Sequence, residues 1–230
     1  ALSSVGGSSA QIINMVEEAL SSVGGSSAQI INMVVGFFTG LTAGGTVLIS
    51  QAYGASHKQR LEDALHTSYA FGILGGIGFG ILGVASASAI LRMMNTPEEL
   101  MAMSTLYIRI YFSGLVFVFI YNMGAAILRA IGDSKRPLYY LVVCCIVNIV
   151  LDLLLVLYFE MGVLGVAVAT LISQAISAVM VTWTLMYRVE CMKLTIRKIR
   201  IHPKILTNML QIGLPSGVQS SMYSISNIIV

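Results

Sequence analysis

The chain has 230 residues, 13 Lys and Arg against 10 Asp and Glu, and a net charge of +3. Charged residues make up 10% of it, apolar residues 57%, and mean hydropathy is +0.86, where an ordinary soluble domain carries about 25% charge. These figures exclude a soluble enzyme, a disordered tail and a nucleic-acid module. They leave room for about six bilayer crossings of roughly 20 residues each.

The first feature in chain order is a repeat. Residues 1–16, ALSSVGGSSAQIINMV, recur without mismatch at 19–34 after Glu17-Glu18. Repeat arrays need at least about three units and tolerate drift, so residues 1–18 read as an artefactual duplication, with a real duplicated segment packing on the bundle as the alternative. The second copy runs on into a span. Beyond Glu18 no charge occurs until Lys58, and only His66 interrupts the apolar run 64–91. Charge-free runs and polar hinges predict six membrane helices, at about 22–54, 64–92, 97–131, 137–158, 162–188 and 205–230. The expected fold is an all-α polytopic membrane bundle. Thr96-Pro97 with Glu99 is a helix-start signal, and Asp133 to Pro137 is another.

The loops set direction. Lys58 and Arg60 lie in the first, Arg129, Lys135 and Arg136 in the third, and six bases between Arg188 and Lys204 in the fifth. The fourth has Glu160 and no base. Lys and Arg concentrate in cytoplasmic loops, so loops one, three and five are expected to be cytoplasmic, in a multi-pass protein of the plasma (inner) membrane. The first predicted helix then runs outside to inside, and the chain reads as an excerpt from a longer protein. No basic segment precedes an apolar stretch at the N-terminus, so no cleavable signal peptide is expected.

Asp152 is the one charge inside the fourth predicted helix. Asn148 lies four residues earlier on the same face. A carboxylate beside an amide oxygen suits Na⁺ or a held proton, while a hydrogen bond to a neighbouring helix is the plainer use. Ionisable groups at this depth cost at least about 2.5–3.5 kcal/mol, which favours a function. Gln51, Gln174 and Gln219 read as interhelical glue, Gln51 and Gln174 also as pathway candidates, and Arg109 as a vestibule or headgroup contact. Gly72, Gly76 and Gly80 form a close-packing face. Pro215, within Gly213 to Gly217, interrupts the last helix as pathway helices do. Cys144, Cys145 and Cys191 imply no disulfide, and no metal spacing or catalytic constellation appears, so no enzyme, cofactor or nucleic-acid partner is expected.

LISQAYGA at 48–55, ILRAIGDSKRPLYY at 127–140, NIVLD at 148–152, GVLGVAVATLISQ at 162–174 and QIGLPSGVQSSMYSISN at 211–227 stand in an order that resembles the multidrug and toxic compound extrusion (MATE) family. The loop Arg129, Gly132, Asp133 and Pro137 is the most specific mark. The resemblance implies twelve helices in two six-helix lobes. Residues 19–187 would be the second to sixth helices of the N-lobe, 188–204 the basic inter-lobe loop, and 205–230 the start of the first C-lobe helix. It also implies a cation site of Asn148, Asp152 and Thr170, taking H⁺ or Na⁺, plus an acid on a first helix without a counterpart here. The function so implied is cation-coupled antiport of drugs or amphipathic or cationic metabolites by alternating access, in an incomplete fragment that needs the first helix and the C-lobe. A lipid or polysaccharide-precursor flippase of related architecture and a non-transporting membrane fragment are the alternatives.

Overall fold

The computed structural model describes residues 32–93 and 98–229. The duplicated segment 1–18, most of its second copy and the Thr96-Pro97 start signal lie outside the described residues. The described elements are helices, in keeping with the expected all-α bundle: α1 (Asn32–Gly54), then α2 (Lys58–Met93), α3 (Glu98–Ser113), α4 (Leu115–Ala130), α5 (Lys135–Leu153), α6 (Gly162–Tyr187) and α7 (Pro203–Ile229). Five stretches are long and apolar enough to cross a membrane: α1, α2, α3 with α4, α5 with the turn after it, and α6. The chain is a multi-pass membrane protein. Helix α7 has the length, but Thr207, Asn208, Gln211, Ser216 and Gln219 leave it less apolar than the other five.

Two boundaries differ from the sequence reading. Helix α2 starts at Lys58, six residues early, because the charged residues 58–63 form its first turns beyond the apolar run. The third span divides at Gly114. The Ser113 hydroxyl donates to the Ile110 carbonyl, and the Gly114 N–H is shared between the Ile110 and Tyr111 carbonyls. Gly/Ser pairs are a usual cause of helix bending. Gly114 also brings α4 against α6, since a Cβ there would stand 2.8 Å from Leu171.

Helix α2 packs on α3 and α4, α4 on α6, and α6 on α5. The predicted glycine face of α2 is used for this: a Cβ on Gly80 would reach the Phe112 carbonyl at 2.9 Å, and Gly76 meets the Val116 backbone. An aromatic stack ties three helices at the centre. Phe38 of α1 lies 3.6 Å from Phe119 of α4 and 5.7 Å from Phe71 of α2, centroid to centroid. Helix α5 is the opposite case. Only Pro137 and Cys144 are buried on it, and Leu141, Ile146, Ile149, Leu153 and Leu157 face outward. Such a surface needs hydrocarbon around it.

The three basic segments gather at one end of the bundle. Ser50 Oγ at the end of α1 donates to the Ala130 carbonyl at the end of α4 (3.2 Å), and Arg136 reaches the Arg188 carbonyl (3.4 Å). The segment 188–204 is docked there rather than slack. Val189, Met192 and Leu194 are buried while its bases point out. The Leu194 N–H returns to the Leu185 carbonyl at 2.9 Å.

Candidate functional site

The site is built at the end of the bundle away from the basic loops. Asn148 and Asp152 stand one turn apart on α5, and Thr170 faces them from α6. Asn148 Nδ2 donates to Thr170 Oγ1 at 3.5 Å. The structure therefore brings together two of the three residues expected to share a site, across the α5–α6 seam. Asp152 completes the face. Its Oδ1 is buried and has no hydrogen-bond partner among the described residues. Leaving such an acceptor unpaired costs roughly 1–3 kcal/mol, so the arrangement is one that a cation or proton would relieve. Carboxylate, amide and hydroxyl oxygens are hard donors suited to Na⁺, and a proton on Asp152 would satisfy the same orphan atom.

One neighbouring feature was not legible in the sequence. A π-helical turn, Leu154–Tyr158, begins two residues beyond Asp152. Turns of this kind concentrate at functional sites. Here the chain closes it with Phe159 N–H on the Leu154 carbonyl and Met161 N–H on the Leu155 carbonyl. Glu160 and Gly162 then take left-handed backbone, at φ 53° each, and a Cβ on Gly165 of α6 would stand 3.1 Å from Leu155.

The loop motif is a helix stop and a helix start. Asp133 N–H bonds the Leu128 carbonyl at 2.9 Å and Gly132 N–H the Arg129 carbonyl at 3.0 Å. That pair of bonds is a Schellman motif with Gly132, at φ 90°, in its left-handed position. Asp133 then accepts the Arg136 N–H at 3.2 Å and pairs with its side chain at 3.3 Å. Pro137 is buried in the first turn of α5, and its carbonyl accepts from Tyr121 Oη at 2.9 Å. Arg129 is exposed.

The pathway candidates are not brought together. Gln51 is exposed at the end of α1, Gln174 is half-buried one turn beyond Thr170, and Pro215 is exposed within an unbroken α7. No hydrogen bond joins the three among the described residues. The helix runs through Pro215 because α1 supports it on both sides: Gly213 meets the Leu41 backbone and Gly217 the Phe37 carbonyl.

Known proteins resemble this chain in sequence and fold. A family model described as MatE matches residues 10–154. A probable multidrug resistance protein of Bacillus subtilis, YoeA, is 32% identical over 203 residues, which are 85% of this chain and 44% of that protein. A crystal structure of MATE in complex with MaD3S superimposes with a TM-score of 0.84 at 26% identity, over 92% of this chain and 48% of that one. An inward-facing structure described as a multidrug resistance MATE family transporter gives 0.79 at 26% identity, over 86% and 45%. The chain thus spans about half the length of the relatives it matches.

Proposed function

We propose, because this chain belongs to the multidrug and toxic compound extrusion family that the MatE model describes, that it forms one lobe of a cation-coupled antiporter. Membership of a transporter family supports this reading. The coupling, the ion and the cargo are our reading. The transporter exports drugs or amphipathic or cationic metabolites by alternating access, in exchange for H⁺ or Na⁺, with the basic end cytoplasmic in the plasma membrane. The observation that carries this is the buried, unpartnered Asp152 Oδ1 beside Asn148 and Thr170.

In this mechanism the three residues hold the cation from two helices at once. With the site empty, the charge on Asp152 disfavours close packing of α5 on its neighbours. Binding removes that penalty and favours one packing of α5 and α6. Coupling requires that cation and cargo favour different states of the lobe pair. The π turn after Asp152 is where α5 can change its pitch without breaking α6.

The test is Asp152→Asn in the complete transporter that contains this lobe, reconstituted in vesicles with a cationic dye as cargo. Dye efflux driven by a Na⁺ gradient and by a pH gradient is measured separately. The variant is expected to lose gradient-driven efflux, and the gradient that drives the parent identifies the ion. Unchanged efflux by the variant under both gradients overturns the proposal.

A further inference from the structure

A second site lies at the basic end, on the outer side of the α5–α6 seam. Lys135 and Arg136 at the start of α5 and Arg188 after α6 line a cavity of about 500 Å³, with Tyr139 and Trp183. Arg136 is paired with Asp133. Lys135 and Arg188 have no ion-pair partner among the described residues. The floor is closed by Tyr140 and Thr184, whose hydroxyls hydrogen-bond each other. Positive charge is therefore concentrated over a built aromatic wall.

The cavity does not end at the cations. Trp183 also lines an apolar groove of about 250 Å³ between α4 and α6, with Phe117, Ile120, Val179 and Met186. Phe117 and Ile120 are three to four turns short of the end of α4, so the groove runs inward from the charged rim. Basic head, aromatic divider and apolar tail lie in the order in which a phospholipid presents phosphate, glycerol and chains to a bilayer protein. A free phosphate would use the first part only.

We propose that Lys135, Arg136 and Arg188 bind the phosphate of an anionic phospholipid whose acyl chain lies in the α4–α6 groove beside Trp183. The site needs no assumption about which side of the membrane this end faces, and it is independent of the cation site.

Trp183 is the single tryptophan and lies between head and tail, so it reports occupancy directly. The full chain is placed in phosphatidylcholine vesicles, and brominated phosphatidylglycerol or brominated phosphatidylcholine is titrated as quencher. Each cation near an anionic surface is worth about a fivefold preference. Phosphatidylglycerol should therefore quench at several-fold lower mole fraction, and excess inorganic phosphate should leave the curve unmoved. Lys135→Gln with Arg188→Gln should bring the two curves together. Lys193→Gln with Lys204→Gln removes the same charge elsewhere and should keep the preference. Equal quenching by both lipids in the unmodified chain overturns the proposal, as does an equal loss in the control variant. Reversal by inorganic phosphate would assign the cations to a free anion and overturn it too.

Discussion

At the scale of single residues, Asp152 is distinguished by what it lacks. Its buried Oδ1 has no partner among the described residues, whereas Asn148 and Thr170 already have each other. Removing the Thr170 hydroxyl by Thr170→Val should therefore weaken ion binding without abolishing the site. We expect about tenfold weaker apparent Na⁺ or H⁺ dependence, equivalent to roughly 1.4 kcal/mol, with the maximal efflux rate retained; a maximal rate that collapses instead would assign Thr170 to the conformational change. Gly132 has a different duty. An alanine at φ 90° is strained by about 1–2 kcal/mol, so Gly132→Ala should lower thermal stability by that order, read from a detergent melt. Ser56 holds the equivalent position at the end of α1, at φ 54°, with His57 N–H on the Ala52 carbonyl and Ser56 N–H on the Tyr53 carbonyl. Ser56→Gly should be neutral or stabilising there. Cys191, in the docked segment, has its thiol pushed up from the ordinary thiol range by burial. The thiolate is the reacting form, so maleimide labelling of Cys191 should be slow at neutral pH. Its rate should keep rising with pH past the point where a free thiol levels off.

At the scale of elements, the α1–α7 seam is made of glycines meeting backbone. Gly40 and Gly44 of α1 oppose Gly217 and Met209 of α7, and a Cβ on Gly213 would stand 2.6 Å from the Leu41 carbonyl. At Gly40, Gly44 and Gly213 the nearest atoms are backbone, which cannot move aside as a side chain can. Gly40→Val should separate the two helices, seen as loss of cysteine cross-linking between α1 and α7 with α2–α4 packing intact; cross-linking at the native yield would refute the seam. Such a face was recognisable on α2 from its four-residue spacing. Gly40 and Gly44 on α1 and Gly213 and Gly217 on α7 carry the same spacing, but that these two faces meet was not legible, because they lie more than 160 residues apart in the chain and only docking makes them one surface. The π turn is another element the sequence concealed. Leu154 to Tyr158 is an ordinary apolar run whose pitch is set by the packing of Gly165 against Leu155.

At the scale of the whole molecule, the segment 188–204 decides how one lobe would be joined to the next. It is clamped to α2. His66 is buried, donates from Nδ1 to the Glu62 carbonyl at 2.7 Å, and accepts the Thr195 N–H on Nε2 at 3.2 Å. Both bonds together require the neutral ring with its proton on Nδ1. His202 adds contacts to Asp63 at 3.2 Å and, through its N–H, to Thr67 at 3.2 Å. His66→Ala should release the segment and speed tryptic cleavage at Arg197 to Arg200 several-fold, whereas unaltered cleavage would show that the buried Val189, Met192 and Leu194 hold it alone. The sequence by itself determined the membrane class, the approximate places of the apolar spans, the family and the face carrying Asn148 and Asp152. Apolar run length, turn residues and local periodicity are properties of neighbouring residues. Only the tertiary structure decided that Thr170 meets Asn148 while Asp152 Oδ1 stays unpaired. It also decided that Gln51, Gln174 and Pro215 stay apart, and that the basic loop is docked rather than slack. Those outcomes depend on how helices distant in the chain pack, and the energy that selects one packing is spread over contacts that no local pattern encodes.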